Sequence, residues 1–268
     1  MAFFIFANMS SNPIGIFDSG VGGLSIWKEI RNQLPNESTI YLSDSKHAPY
    51  GPKGQKAIID LSIKNTELLI NYGCKLIVVA CNTATTNAID QLRIKFSVPF
   101  IGIEPAIKPA ALQSKIKKIG ILATEGTLSS RLFHKNSELY LNNLSVIEQV
   151  GDGIVELIEQ GKLNSNEMRI LLIKLLRPMI KAKIDYLVLG CTHYHFLKPI
   201  LEEFLPKNIS IIDSSGAIAR QTKCVLQQHK LSNYKTLKGE SRFYTNGEQT
   251  VIADLLKSEN VVLKKIEF

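Results

Sequence analysis

Cysteine is scarce in this chain. Only Cys74, Cys81, Cys191 and Cys224 occur among 268 residues, with no CxxC pair and no zinc-type spacing. A disulfide framework is excluded, and reduced thiols in a cytoplasm are expected. Long apolar runs are missing too: none approaches the roughly 20 residues that a membrane-spanning helix needs, so no membrane partner is expected. The opening "MAFFIFANMSSNP" is too brief for a secretory h-region and has no basic n-region. It leads straight into a strand-like pattern at Pro13 and Ile14, which makes Met9 a candidate for the true start. A basic helix with interleaved aromatics is also lacking, although the net charge is +8 from 32 basic and 24 acidic residues. The lysines are scattered, with short pairs such as Lys117-Lys118 and Lys264-Lys265. A solvated surface is the plainer reading, and nucleic acid is not an expected partner.

What the chain does have is alternation. Apolar runs at 14–17, 39–42, 76–80, 98–103, 119–122, 185–189 and 209–212 read as buried strands, and helical patterns lie between them. That order argues an α/β fold with mostly parallel sheets. One helix, about 56–72, should end at Gly73 as its C′ residue. Another carries Met168, Leu171, Leu172, Leu175, Leu176, Met179 and Ile180 at helical spacing, with Asn164 and Glu167 as a capping box and a kink at Pro178.

The chain also repeats itself. "KLIVVACNT" is answered by "DYLVLGCTH", Cys191 lying 110 residues beyond Cys81. "IGIFDSGVGGLS" from Ile14 is answered by "IGILATEGTLSS" from Ile119, at an offset of 105. Two echoes at nearly one offset suggest duplicated units, hence two similar parallel-sheet α/β lobes related by a pseudo-twofold axis with the active site between them. Ligand groups in open α/β sheets collect at the carboxyl ends of strands, where both cysteines stand.

Two opposed thiols suit one kind of chemistry. Inverting a stereocentre beside a carboxylate requires taking a weakly acidic C–H proton from one face and returning one to the other. A thiolate and a thiol, with a reference pKa near 8.5, can serve as base and acid and exchange roles with direction. Asp18 could relay a proton near Cys81, and His193 near Cys191. Asn82, Thr83, Thr85 and Thr192, with exposed backbone N–H groups, could hold a carboxylate and its enolate-like transition state.

Taken together, "GIFDSGVGGLS", "YLSDSKHAPYG", "VVACNTATT", "IGIEPA", "LGCTH" and "DSSGAIA", in order along nearly the whole chain, resemble the glutamate racemases of the aspartate/glutamate racemase superfamily. The resemblance implies a two-lobed enzyme that interconverts L- and D-glutamate without cofactor or metal and supplies D-glutamate for peptidoglycan. It implies that Cys81 deprotonates the D enantiomer and Cys191 the L enantiomer, assisted by Asp18 and His193. Substrate contacts would come from Asp18-Ser19, Pro49-Tyr50-Gly51, Asn82-Thr83 and Thr192-His193, with Thr124 and Thr127 as weaker candidates from the second lobe. That lobe would run over 108–216, the first over 1–107 completed by 217–268. A homodimer is implied. Some family members inhibit DNA gyrase, so such a partner is conceivable here but not expected. Many relatives carry a Cys-Pro segment before a glutamate that assists the second cysteine; here the stretch is "EQVGDGIVELIEQG". Glu156 is taken as the counterpart, with Glu148 and Asp152 as rivals.

Each signal has a plainer reading. Either thiol alone would be an inert buried group, Asp18 a helix cap, and Tyr50 the filler of a turn. Cys74 and Cys224 are left structural, and Asp213 is taken to cap the next helix. Cys191-x-His193-x-His195 is too tightly packed for metal ligation. "GVGGLS", with Asp44 about 20 residues on, mimics a dinucleotide fingerprint, but Ser25 replaces its third glycine and Asp18 would repel a pyrophosphate.

Overall fold

The computed structural model describes residues 10–140, 144–257, 259 and 261–268; Met9, the candidate start, lies outside the described residues. Strands β1 (Ile14–Asp18), β2 (Thr39–Ser43), β3 (Leu76–Val79) and β4 (Phe100–Gly102) belong to one sheet. Strands β5 (Lys118–Ala123), β6 (Ser145–Val150), β7 (Tyr186–Gly190) and β8 (Ser210–Ile212) form another. Two late strands, β9 (Ser241–Thr245) and β10 (Val262–Lys265), return to the first sheet. The orders are β10-β9-β2-β1-β3-β4 and β6-β5-β7-β8, and every pairing is parallel. The run β2-β1-β3-β4 is therefore repeated by β6-β5-β7-β8, which is the duplication the two sequence echoes announced.

Strands buried on both faces were legible as apolar runs, because helices cover both sides of a parallel sheet. Thus β1, β2 and β3 are buried at every position. Three strands were missed. In β6 (SVIEQV) and β10 (VLKK), which stand at sheet edges, the residues are largely exposed or half-buried. In β9 (SRFYT) buried and more open positions alternate, so no apolar run marks it.

The helix expected near 56–72 spans Gln55–Asn71. Its end is a Schellman turn: Gly73, at φ +78°, donates to the Ile70 carbonyl and Cys74 to that of Leu69. Helix Asn166–Lys181 is capped by Ser165, whose hydroxyl accepts the Met168 N–H at 3.1 Å, one residue later than the expected Asn164 cap. The helix continues through Pro178. Helix Ser215–Gln228 lies against helix Leu24–Gln33 and carries the chain back from the second sheet to the first.

Candidate active site

Both thiols stand where their strands stop. Cys81 follows β3 and Cys191 follows β7, the equivalent strands of the two sheets, and both are buried. Among the causes that hold the Cys81 pKa up, the charge of Cys191 counts, though less than burial or Asp18.

On the first side, Cys81 is the N-cap of helix Asn82–Lys95; its sulfur accepts the Ala84 N–H at 3.4 Å and its thiol reaches the Ser19 hydroxyl at 3.6 Å. Burial, and next the charge of Asp18, hold this thiol well above its ordinary pKa, against the pull of the Ala84 N–H. Asp18 ends β1 and is fully buried. Its Oδ2 accepts the Gly23 N–H at 3.0 Å and its Oδ1 accepts the Thr192 hydroxyl at 3.3 Å. Burial pushes its carboxyl up to about 6, although the nearby His193 charge opposes this.

On the second side, a 3₁₀ segment, Thr192–Leu197, turns back so that His193 Nδ1 lies 3.9 Å from Cys191 Sγ and 3.9 Å from Asp18 Oδ2. The imidazole Nε2 meets Glu159 Oε1 at 2.7 Å. Burial works against a charged imidazole, yet the contacts with Cys191 and Glu159 and the charge of Asp18 outweigh it, and the His193 pKa stands well above its usual value. Glu159 would likewise be raised by burial, but His193, the Val21 N–H and the Ser45 hydroxyl hold it below the usual carboxylate value.

Glycine makes this packing possible. A Cβ at Gly22 would lie 2.4 Å from His193 Nδ1, and one at Gly20 only 1.9 Å from Glu159 Oε1. Gly20 and Gly22 of "GVGG" admit groups from the other lobe. Asp44, the would-be ribose acid, is buried under bonds from Tyr50, His47 and Asn246. His193 and His195 diverge toward Glu159 and toward the Ser25 hydroxyl (2.8 Å), respectively.

Next to Cys81 lies unspent polarity. Asn82 is buried, and neither its Oδ1 nor its Nδ2 has a partner among the described residues. Thr83 of the first lobe meets Thr124 and Thr127 of the second in a hydroxyl cluster at 2.7, 3.2 and 3.1 Å. A cavity of about 170 Å³ opens beside them, walled by Pro49 and Gly51 on one side and Thr124, Asp152 and Glu156 on the other.

Three expectations need correction. Glu159, not Glu156, is the carboxylate that reaches His193; Glu156 is exposed on the cavity wall. The two are three residues apart on the short helix Ile154–Glu159, so both lie near the interface, and the sequence alone could not say which turned inward. Thr85 takes no part in the cleft, since its hydroxyl donates to the Val79 carbonyl and accepts the Ile103 N–H, both at 3.1 Å. Tyr50 is turned inward: its hydroxyl donates to Asp44 and accepts from Asn65 at 3.1 Å, leaving Pro49 and Gly51 to face the cavity. Outside the site, Asp213 stands one residue before the N-cap Ser214 and accepts the first helical N–H, that of Ser215, at 2.8 Å, while also pairing with Lys198. Burial raises the Cys74 thiol to about 12, in keeping with an inert core group.

Comparison with known proteins agrees with this geometry. Residues 14–222 match the Asp/Glu/Hydantoin racemase family. A glutamate racemase of Herpetosiphon aurantiacus is 41% identical over 247 residues, covering 92% of this chain and 97% of that one. The crystal structure of Escherichia coli glutamate racemase in complex with L-glutamate and the activator UDP-MurNAc-ala superposes with a TM-score of 0.85 at 33% identity, covering 95% and 98% of the two chains. That of the Francisella tularensis enzyme in complex with D-glutamate superposes at 0.82 and 29%, covering 96% and 98%.

Proposed function

The chain belongs to the Asp/Glu/hydantoin racemase family, and from that premise we propose that it interconverts L- and D-glutamate by proton transfer between Cα and two opposed thiols. Cys191 takes the proton of L-glutamate and Cys81 supplies one to the opposite face; the reverse reaction exchanges their roles. The carrying observation is that the two thiols end equivalent strands and have different acid–base partners.

In the resting state Cys81 is a protonated thiol, because burial and the Asp18 charge both disfavour its anion. It is therefore ready to deliver a proton. Asp18, titrating near 6, is the group to accept that proton when Cys81 acts as base. His193 stays protonated and presents Nδ1 toward Cys191 while Glu159 fixes its other nitrogen. Asn82 supplies the unpaired amide for a substrate carboxylate and the enediolate-like charge that builds on it. Ser19, Gly51, Thr83, Thr124, Thr127 and Thr192 surround the remaining groups of the substrate, and Pro49 shapes the opening.

Cuts near residues 107 and 217 are the proposed lobe boundaries, supported by the sheet membership of the strands. The family likeness supports a homodimer and a cytoplasmic role in supplying D-glutamate for peptidoglycan. Among the described residues no helix is long and apolar enough to cross a membrane. The test is circular dichroism of L-glutamate incubated with purified protein in the absence of pyridoxal phosphate, which should decay to zero while deuterium from heavy water enters Cα. A persistent optical signal would overturn the assignment.

A further inference from the structure

Glu159 comes from the second lobe, but the first lobe holds its carboxylate. Its Oε1, which meets His193, also accepts the Val21 N–H at 2.7 Å. Its Oε2 accepts the Ser45 hydroxyl at 2.8 Å. Ser45 begins the 3₁₀ turn that follows β2. A hydroxyl has one proton to give, and Ser45 gives it to Glu159, so the neighbouring Ser43 hydroxyl, at 3.0 Å, donates to Ser45 and keeps it aimed. Turning the carboxylate to take Oε1 away from His193 would break the Ser45 bond.

We propose that Ser45 is a positioning residue for proton transfer at Cys191: its hydroxyl holds the Glu159 carboxylate square to His193, and it does so from the opposite lobe, so this arm of the site is complete only when the lobes are closed. The inference rests on Cys191 being a catalytic thiol. A donor to a carboxylate favours its ionised form. Without Ser45, Glu159 is a weaker anion and His193 releases its proton at lower pH, which narrows the active pH range from the alkaline side. The other titratable groups facing this pair are Asp18 and Tyr41 from the first sheet and Cys191 and His195 from the second lobe.

The test compares Ser45→Ala, Glu159→Gln and the double variant with wild type, using L- and D-glutamate deuterated at Cα. Ser45→Ala should lower kcat roughly tenfold with little change in KM, the size expected for one hydrogen bond to a charged group. Its pH profile should narrow. The deuterium isotope effect should grow for L-glutamate, whose label Cys191 removes, and shrink for D-glutamate. In the Glu159→Gln background, Ser45→Ala should add nothing, because it acts through that carboxylate. Wild-type kcat, pH profile and isotope effects in Ser45→Ala would overturn the proposal, and so would an undiminished loss in the Glu159→Gln background. A Cys191→Ser control separates the two levels. Retained racemisation there sinks the reading of Cys191 itself, whereas a dead Cys191→Ser beside an unaffected Ser45→Ala sinks only the role of Ser45.

Discussion

Cys81 and Cys191 occupy the same place in two sheets that share a four-strand order, yet the chain treats them differently once the strand is over. After Cys81 a fourteen-residue helix begins at once, and the sulfur is spent on its first turn. After Cys191 a 3₁₀ segment folds an imidazole back toward the sulfur. One thiol sits beside a carboxyl group, the other beside a cation backed by a second carboxylate. Strand order fixes where each side chain is delivered, and the unequal loops decide its chemistry. Unlike surroundings suit a reaction in which one thiol gives a proton while the other takes one.

The contrast is most sharply broken at the thiols. Cys81→Ser and Cys191→Ser should each lower racemisation by about 10²–10⁴-fold. They should differ in exchange: followed by NMR in heavy water, Cys81→Ser should still exchange the Cα proton of L-glutamate, and Cys191→Ser that of D-glutamate. If both variants exchange the same enantiomer, the two sides are not opposed.

Next in size is the pH response of Asp18, the charge on the Cys81 side. An aspartate carboxyl ordinarily has a pKa of 3.8, and burial pushes this one up to about 6. Between those values the folded protein holds a proton that the unfolded chain has lost, so stability falls as pH rises through that window, by on the order of 3 kcal/mol. Activity should move the opposite way, rising through about pH 6 as the base ionises. Asp18→Asn should flatten both curves in thermal unfolding and rate measurements.

Gly22→Ala probes the other side. The added Cβ collides with His193, where the side chain and its backbone N lie at 2.4 and 2.6 Å. A loss of about 1–3 kcal/mol in thermal stability is expected, with reduced kcat. At the corresponding offset of 105 the second lobe carries Thr127, whose hydroxyl belongs to the threonine cluster. Thr127→Ala should accordingly disturb stability less than Gly22→Ala.

The smallest effect contrasts Asn82 with its counterpart Thr192, 110 residues on. Thr192 already bonds Asp18, whereas Asn82 is unpaired. Asn82→Ala should be neutral or stabilising by about 1 kcal/mol in free enzyme, since an unmatched buried amide is removed. It should raise KM, and added glutamate should then protect the variant from unfolding less than it protects wild type.

The duplicated strands and the two cysteines at their ends were legible because a strand buried on both faces must be a continuous apolar run. The glycines of "GVGG" were visible, but their use was not: Gly20 and Gly22 leave room for Glu159 and His193, which arrive from more than 130 residues away. Thr85 looked like its threonine neighbours until its backbone partners, Val79 and Ile103, were in place. Tyr50 was expected among the substrate contacts, and its hydroxyl proved to be a buried brace on Asp44.

By itself, then, the amino-acid order determined the α/β class, the internal repeat, and the delivery of one thiol to the end of each of two equivalent strands, since these depend on local periodicity and strand ends. Only the folded molecule decided which carboxylate backs His193, which hydroxyls face the cleft, and that first-lobe groups hold a second-lobe acid. The reason is physical: proton affinity is set by burial and by partners a few ångströms away in space, and most of those partners come from the other half of the chain.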